Sequence, residues 1–210
     1  MSYSYRDTPR LDVLQIIPPD GRIIGSIGCG WGATEAILVQ QGREVHGVDI
    51  SPEAIERAKT RLSSARVVAP DDRMPFPAAS LDGLILADVL EHLPAAWQAL
   101  EEFAKAVRPG GWVVLSVPNM RNIKVFFQFF VRGDWPEERE GIFDSTHLQV
   151  MSPRRLERWS ESAGLTIEKW YDAYHSKGRY SGILRLIDLV TIKLFHFWWM
   201  AQLQVRLRKK

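Results

Sequence analysis

The chain has little cysteine and almost no net charge. These two features limit the redox compartment and the classes of partner that the sequence indicates. Cys29 is the only cysteine among 210 residues, so no internal disulfide can form, which fits a reducing compartment. The formal net charge is only +2, so the composition does not indicate a nucleic-acid-binding protein. Basic and aromatic residues are not interleaved as they are in nucleic-acid readers, and we expect no nucleic-acid partner.

Long uninterrupted hydrophobic runs are also missing. Residues 1–10 are polar and lack the apolar centre of a signal peptide. The most apolar stretch, 183–203, is interrupted by four ionisable side chains, which makes it a poor candidate for a membrane span: Arg185, Asp188, Lys193 and His196. The sequence therefore predicts a soluble, cytoplasmic protein.

The first half of the chain contains short apolar runs that alternate with helical stretches. We predict strands at 23–27, 44–49, 66–69, 81–87 and 112–117, and helices at 33–41, from 51, and at 94–107. Pro109 to Gly111 predicts a turn before the last of these strands. Strands that alternate with helices are typical of a doubly wound α/β fold, with helices on both faces of a parallel sheet.

The second half does not continue this rhythm. It predicts a helix around 123–131 followed by a loop, a helix at 152–163 ended by Gly164, a strand at 165–171, a helix at 183–197 and an edge strand at 202–207. A chain of 210 residues fits one domain. We therefore expect a single domain over 1–210, with a core at about 20–120, an acceptor or lid insertion at about 120–150 and C-terminal elements at 152–210.

A glycine run lies between the first predicted strand and the first helix. Gly28, Gly30 and Gly32 alternate with Cys29 and Trp31. Glycines let a backbone turn tightly and approach a ligand closely, and the following helix points free N–H groups at that space. The run also satisfies the dinucleotide fingerprint, with Ala33 in the last place. A nucleotide-type cofactor is indicated, and the run alone does not say which.

Acidic residues follow two of the predicted strands. Asp49 ends the second strand, where a carboxylate can accept two hydrogen bonds from a ribose diol. Asp71 and Asp72 follow the third strand, where an acid can accept a hydrogen bond from the exocyclic amine of adenine. A solvated loop position explains Asp71 and Asp72 equally well.

Several runs, in this order, resemble the motifs of class I S-adenosylmethionine-dependent methyltransferases. The resemblance covers about residues 20–120. Residues 24–32 resemble the first motif and 48–51 the ribose-binding acid. Residues 74–77 and 80–82 resemble the approach to the fourth strand, 88–93 the segment after that strand, and 107–112 the turn before the fifth strand. The run 141–148 is similar to a bacterial subgroup linked to cell-surface glycan and secondary-metabolite synthesis.

The resemblance implies a Rossmann-like, mostly parallel seven-stranded sheet with an antiparallel last strand. It implies S-adenosylmethionine as cofactor, S-adenosylhomocysteine as product, and a small molecule or glycan precursor as methyl acceptor. Independently of the resemblance, Arg10 and Tyr5 are candidates to fold over the cofactor, with Arg10 suited to its carboxylate, and an ordinary surface role explains Arg10 at least as well. The predicted cofactor-binding residues are Arg10, Gly28, Cys29, Gly30, Trp31, Gly32, Asp49, Ile50, Asp71, Asp72, Ala87 and Asp88.

One position departs from the family pattern. The family usually has an acid two residues before the first glycine, where it helps to hold the amine of the cofactor, and this chain has Ser26. A non-catalytic S-adenosylmethionine-binding protein is therefore an alternative function. An NAD(P)-dependent oxidoreductase is a weaker alternative, because such an enzyme needs neither the run at 88–92 nor the Pro-Gly-Gly turn.

Methyl transfer from a sulfonium is an in-line displacement, so the protein mainly has to align the acceptor. A base is needed only where the acceptor must lose a proton. The predicted catalytic residues are His147, His92 and Asp144, with Glu91 as a further candidate, and either histidine could instead be structural. No metal site is predicted.

Two aromatic segments leave alternatives open. The stretch 125–135 is interpreted as a lid over the acceptor, with ordinary core as the alternative. The stretch 183–210 is interpreted as a helix and strand that pack on the sheet, with peripheral membrane contact as the less favoured alternative. The oligomeric state is not predicted.

Overall fold

A seven-stranded sheet lies at the centre of the computed structural model, which describes residues 7–72, 74–174 and 196–210. The strands of this described part are β1 (Ile23–Ile27), β2 (Glu44–Asp49), β3 (Ser64–Val67), β4 (Leu81–Ala87), β5 (Val107–Pro118), β6 (Leu165–Tyr174) and β7 (Met200–Lys209). Their order across the sheet is β3-β2-β1-β4-β5-β7-β6. All neighbours are parallel except the pairs that β7 makes with β5 and β6.

Short helices connect the strands. They are α1 (Leu11–Leu14), α2 (Ala33–Gln40), α3 (Pro52–Ala58), α4 (Ala96–Lys105), α5 (Ile123–Phe126), α6 (Pro153–Ser162) and α7 (His196–Trp199). A 3-10 turn at Leu90–His92 follows β4, and a π-helical turn at Phe127–Val131 continues α5. Within the described ranges, none of the helices is long and apolar enough to cross a membrane.

The doubly wound α/β fold predicted from the sequence is confirmed, including the antiparallel strand β7. The strands at 23–27, 44–49 and 81–87 have the predicted bounds, whereas β3 begins two residues before the predicted strand at 66–69. Strand order reverses between β1 and β4, because the chain moves outward to β3 and then returns to the other side of β1. The carboxyl ends at such a reversal form the crevice where doubly wound folds bind ligands.

The turn predicted at Pro109 to Gly111 is wrong in one respect, because these residues belong to β5. Leu81 pairs with Val107 and Gly83 pairs with Trp112, so the intervening residues of β5 bulge out of the register. Gly110 has φ 74°, a conformation that glycine adopts without a steric penalty. A bulge and a turn have the same local composition, and only the partner strand distinguishes them.

The edge strand predicted at 202–207 is also corrected. β7 starts at Met200 and lies between β5 and β6, so Val205 pairs with both Leu115 and Trp170, and β6 forms the edge. The alternation of apolar and polar residues along β7 correctly indicates that Leu203, Val205 and Leu207 face the core. Such a pattern does not indicate whether a strand has one neighbouring strand or two. The helix predicted at 183–197 lies largely outside the described residues, as does Tyr5.

The core lies on both faces of the sheet. On one face α4 and α6 cover alternate residues of the central strands, and on the other face α1 and α2 cover the rest. Trp112 is fully buried on the second face, and its indole N–H donates to the carbonyl of Asp20 at 2.9 Å. Gly83 lies under this ring, where a Cβ would come within 2.2 Å of it. This packing holds β4 and β5 in register below the site.

Asp82, at the start of β4, should make the protein sensitive to acid. Its carboxylate accepts the N–H groups of Arg22 and Ile23 at 2.7 and 2.9 Å and pairs with Arg108. The N–H of Ile23 and the guanidinium of Arg108 lower the pKa of Asp82 to about 2. Because the folded pKa is depressed, the stabilisation is complete above the unfolded pKa of about 4 and is lost as pH falls towards 2.

We therefore expect Asp82→Asn to lower the free energy of unfolding at pH 7 by about 1 kcal/mol, a value reduced for partial solvent screening. The difference between variant and wild type should shrink as pH falls from 4 to 2. Urea unfolding at a series of pH values measures it. A difference that stays constant down to pH 2 would show that the charge of Asp82 does not contribute.

Candidate functional site

The glycine run forms an open loop at the carboxyl end of β1. Gly28, Gly30 and Gly32 have φ values of 70°, 53° and 70°, which side-chain-bearing residues rarely adopt. The N–H groups of Gly28 and Cys29 both donate to the carbonyl of Val48, at 2.8 and 3.1 Å. A Cβ on Gly28 would come within 2.7 Å of the Val89 side chain. The loop therefore fits closely between the ends of β2 and β4.

Asp49 ends β2 next to this loop and is buried. One carboxylate oxygen accepts the N–H of Gly30 at 2.8 Å, and the other accepts the N–H of Ser51 at 2.9 Å. Each carboxylate oxygen has two acceptor sites, so both retain capacity for a ligand hydroxyl. Ile50 is exposed beside Asp49 and offers an apolar surface to a ring. This combination suits a nucleoside whose ribose lies on Asp49.

The position that lacks the usual acid has a carboxyl group from another element. The hydroxyl of Ser26 donates to Oε1 of Glu35 at 2.7 Å, and both side chains are buried. Burial raises the pKa of Glu35. Sequence reasoning missed Glu35, although its position three residues before the buried Leu38 puts both on the face of α2 that packs on the sheet.

Cys29 does not have the environment of a nucleophile. Burial, with the nearby carboxyl groups of Glu35 and Asp49, raises the pKa of its thiol far above the usual value. The side chain packs with Ile55 and Leu62. The interpretation of Cys29 as a small packed residue is consistent with this environment.

Asp88 follows β4 in a left-handed conformation, with φ 56°. This backbone conformation costs a residue other than glycine about 1 kcal/mol or more, and such strain is concentrated at functional sites. The N–H of Asp88 donates to the carbonyl of Ser116 at 2.9 Å. Its carboxylate pairs with Arg10, whose guanidinium also binds Asp12 at 2.8 Å. The guanidinium of Arg10 is thus engaged by two carboxylates at the mouth of the crevice.

The remaining predicted cofactor residues lie along the same edge of the sheet. Ala87 is the last residue of β4, and the guanidinium of Arg57 stacks over the ring of Trp31 at 3.9 Å. Oδ1 of Asp72 accepts the N–H of Met74 at 3.0 Å in a local turn, and Asp71 is exposed. Contact of Asp71 or Asp72 with adenine stays a prediction.

One backbone carbonyl brings a distant segment to this edge. The carbonyl of Glu91, in the 3-10 turn after β4, accepts the N–H of Leu148 at 2.7 Å and that of Gln149 at 3.1 Å. The amide of Gln149 also donates to the carbonyl of Leu93 at 2.9 Å. We call these bonds the Glu91 clamp. Because of the clamp, His147 lies beside Glu91 and His92.

The three predicted catalytic residues therefore lie together. The rings of His92 and His147 have centroids 4.9 Å apart. Thr146 connects His92 to Asp144, because its hydroxyl donates to Asp144 Oδ1 at 2.6 Å and lies 3.0 Å from Nδ1 of His92. Sequence reasoning missed Thr146, since a threonine in a loop carries no distinguishing pattern.

The electrostatic environment of this group is unusual. Burial, together with the nearby Asp88, raises the pKa of Glu91 well above its usual value. Burial and the adjacent His92 lower the pKa of His147, and Asp144 opposes this shift. Perturbed titratable groups that cluster in a cleft are typical of functional sites.

The segment after β5 exposes a series of aromatic side chains. Phe126, Phe127 and Phe129 are each about half exposed, and Phe130 is 71% exposed. Phe126 stacks on Trp198 at 5.8 Å, and Trp135 meets Phe143 edge-on at 5.1 Å, so the series reaches the residue before Asp144. The alternative of an ordinary core is wrong for the four phenylalanines, because they face solvent.

Comparisons with known proteins agree with this geometry. A family profile described as "Methyltransferase domain" matches residues 26–115. The chain is 27% identical over 167 residues to a ubiquinone biosynthesis O-methyltransferase of Leptothrix cholodnii, covering 76% of this chain and 68% of that protein. It is 26% identical over 158 residues to the protein of the same name from Thiobacillus denitrificans, covering 72% and 68%.

Solved structures share the fold. A SAM-dependent methyltransferase from Archaeoglobus fulgidus superposes with a TM-score of 0.66 at 18% identity, over 95% of this chain and 90% of the other. An S-adenosylmethionine-dependent methyltransferase from Mesorhizobium loti gives 0.66 at 17% identity, over 95% and 96%.

A doubly wound sheet with a glycine loop, a ribose-type acid and a crevice at the strand reversal defines a nucleotide-cofactor enzyme. Together with the match of the family profile to residues 26–115, these features indicate an S-adenosylmethionine-dependent methyltransferase domain with the Rossmann-like fold of the solved structures. Its cofactor is S-adenosylmethionine and its product S-adenosylhomocysteine. The cradle formed by Gly28, Gly30 and Asp49 fits this cofactor, because a Cβ on Gly28 would collide with Val89 and the N–H of Gly30 holds the Asp49 carboxylate in place.

Asp49 is expected to be needed for cofactor binding beyond its structural role. Asp49→Ala should weaken S-adenosylhomocysteine binding at least tenfold, because a ribose diol loses its acceptor. Isothermal titration calorimetry measures this affinity, with NAD as a ligand that should not bind.

Asp82→Ala is the matched control, because Asp82 also accepts two backbone N–H groups but lies at the opposite end of β4. Both variants should lower the melting temperature, and only Asp49→Ala should lose affinity. Equal affinities in folded Asp49→Ala and wild type would contradict the ribose assignment.

Proposed function

We propose that this methyltransferase transfers a methyl group to a hydroxyl of a small acceptor with an aromatic or otherwise apolar body. The observation that carries the proposal is the group formed by the buried Glu91 and the half-buried His92 and His147, which follows the strained Asp88 at the carboxyl end of β4. The name O-methyltransferase of the two relatives supports oxygen as the methylated atom.

The apolar body of the acceptor is supported by the aromatic segment. Phe126, Phe129 and Phe130 expose ring faces, and Trp135 and Phe143 connect that segment to Asp144. Binding sites for small molecules are lined mainly by such side chains, with few polar groups. A glycan precursor is the other acceptor predicted from the sequence, and the exposed phenylalanines favour the apolar acceptor over it.

Residues 1–210 are proposed to form one domain, in which each of three segments has its own function. Residues 20–120 bind the cofactor, 120–150 form the acceptor wall and lid, and 152–210 complete the same sheet through β6 and β7. A cytoplasmic location is proposed because the lone buried thiol of Cys29 suits a reducing compartment.

The cofactor-binding residues are proposed from their positions around the crevice. The glycine loop cradles the methionine end, Asp49 binds the ribose, Ile50 packs on the adenine, and Arg10 positions Asp88. The full set is Arg10, Gly28, Cys29, Gly30, Trp31, Gly32, Asp49, Ile50, Asp71, Asp72, Ala87 and Asp88.

The acceptor has to be aligned with the methyl group that S-adenosylmethionine supplies when bound. Holding the two reactants in line accounts for most of the rate enhancement in such a displacement. His92 and His147 are placed to accept a hydrogen bond from the acceptor hydroxyl. One of these imidazoles takes the hydroxyl proton as the methyl–oxygen bond forms and the methyl–sulfur bond breaks. Asp144 acts on His92 through Thr146 and fixes the orientation of that ring.

His147→Ala should lower kcat for a phenolic acceptor such as a catechol about 100-fold, the usual magnitude for removing a group that handles the reacting proton. Affinity for S-adenosylhomocysteine should stay within twofold, because His147 lies outside the glycine loop and the Asp49 site. His46→Ala is the control, since His46 is a surface histidine that binds Ser64 and Glu44. Methyl transfer at the wild-type rate by His147→Ala would contradict this role.

The aromatic segment should affect the acceptor and not the cofactor. Phe126→Ala combined with Phe130→Ala should raise KM for the acceptor about tenfold by removing apolar contact area. Trp97→Ala removes an exposed aromatic side chain from α4 and serves as the control. Equal loss of acceptor and cofactor affinity, with a lowered melting temperature, would show that the two phenylalanines are only structural.

A further inference from the structure

Three possible metal ligands meet where the Glu91 clamp joins the segment after β5 to the segment after β4. In the described part of the chain, a carboxylate oxygen of Glu91 and one ring nitrogen each of His92 and His147 lie within 4.8 Å of one another. Donor atoms around a zinc ion with bonds of about 2.1 Å are separated by roughly 3.4 Å in a tetrahedral site. The donor atoms of the cluster therefore exceed this spacing by at most about 1.4 Å.

Two atoms of this cluster are buried without a hydrogen-bond partner among the described residues. They are Oε2 of Glu91, whose side chain is only 1% exposed, and Nδ1 of His147. A buried polar atom left unsatisfied costs about 1–3 kcal/mol, and native proteins contain few of them. Two such atoms, a carboxylate oxygen and an imidazole nitrogen in one cluster, indicate a missing partner that accepts electron pairs from both.

Neighbouring groups orient both rings. The carbonyl of Thr146 lies 3.3 Å from Nδ1 of His92, and the hydroxyl of Thr146 lies 3.0 Å from it. The backbone carbonyl of Ile142 faces the ring of His147. Metal-binding histidines characteristically use one ring nitrogen for such a contact, which fixes the tautomer and presents the other nitrogen to the ion.

We propose that Glu91, His92 and His147 bind one divalent transition-metal cation of the zinc type. Two imidazoles and one carboxylate are a donor set that suits Zn²⁺ and its first-row neighbours better than Mg²⁺ or Ca²⁺. Three protein ligands leave a position open, as in catalytic zinc sites. The role of the ion rests on the proposed function, in that the open position would take the acceptor hydroxyl and lower its pKa. Because both imidazoles would bind the ion, the hydroxyl proton would pass to solvent.

This site departs from the expectation that the chain has no metal site. Glu91 and His92 are adjacent, but His147 comes from a distant segment, and the clamp that joins them consists of backbone hydrogen bonds. No ligand spacing therefore marks the site in the sequence.

Zinc binding can be measured directly, without cofactor or acceptor. Tag-free protein is stripped with a chelator and titrated with Zn²⁺ against a chromogenic competitor. We expect one zinc per chain with a Kd on the order of 1 µM or tighter. Glu91→Gln and His147→Ala should each weaken binding at least tenfold. His46→Ala should bind like wild type, because this surface histidine pairs with Glu44 and is not part of the Glu91, His92 and His147 cluster.

Circular dichroism and S-adenosylhomocysteine affinity check that the variants fold. If His147→Ala does not fold, His147→Gln keeps the volume and takes its place. In a second measurement, Co²⁺ bound to wild type should give the visible absorption of a low-coordinate site, and Glu91→Gln should lose it. Folded wild type that binds no stoichiometric zinc, or that binds it unchanged in both Glu91→Gln and His147→Ala, overturns the proposal.

Different experimental results would contradict the metal site and the proposed function. Full methyl transfer to a catechol in excess chelator, by protein that binds no zinc, would overturn the metal site and leave the proposed function intact. One tightly bound zinc, lost in Glu91→Gln, in a protein that methylates no hydroxyl would support the metal site and overturn the proposed function.

Discussion

The backbone carbonyl of Glu91 accepts two N–H groups from residues 148 and 149, and the acceptor side of this methyltransferase depends on that clamp. The clamp draws the segment after β5 onto the 3-10 turn that follows β4. It thereby places His147 beside His92 and buries the carboxyl group of Glu91. The same segment carries the exposed phenylalanines, so the polar group and the apolar wall are positioned together.

The cofactor side depends on a second set of backbone contacts. At the end of β2, the carbonyl of Val48 and the carboxylate of Asp49 together accept four N–H groups, three of them from the glycine loop that follows β1. The two sides meet at Asp88, whose left-handed backbone conformation turns the chain from β4 towards the Glu91 clamp. Arg10 and Ser116 hold this residue, so strain at Asp88 is offset by contacts from the N-terminal segment and from β5.

Most of the fold follows from sequence pattern, because buried parallel strands and capped helices leave local signals. Ser51 and Pro52 mark the start of α3, and the apolar run at 81–87 marks β4 correctly. Features that depend on a partner strand were not predictable: the bulge at Pro109 to Gly111 and the inner position of β7. Most of the proposed cofactor residues could be selected from the sequence, since they follow strand ends, and the structure places those strand ends along one edge of the sheet. The convergence of Glu91 and His147 could not, because backbone bonds create it.

A structure of the protein crystallised with S-adenosylhomocysteine would test the central claim most directly, since the claim is that one crevice joins the two sides. The account predicts the ribose on Asp49 and the sulfur facing the cluster of Glu91, His92 and His147, with space between them for a hydroxyl. A ligand whose sulfur faces away from this cluster, or a cluster sealed off from the ligand by side chains, would contradict it.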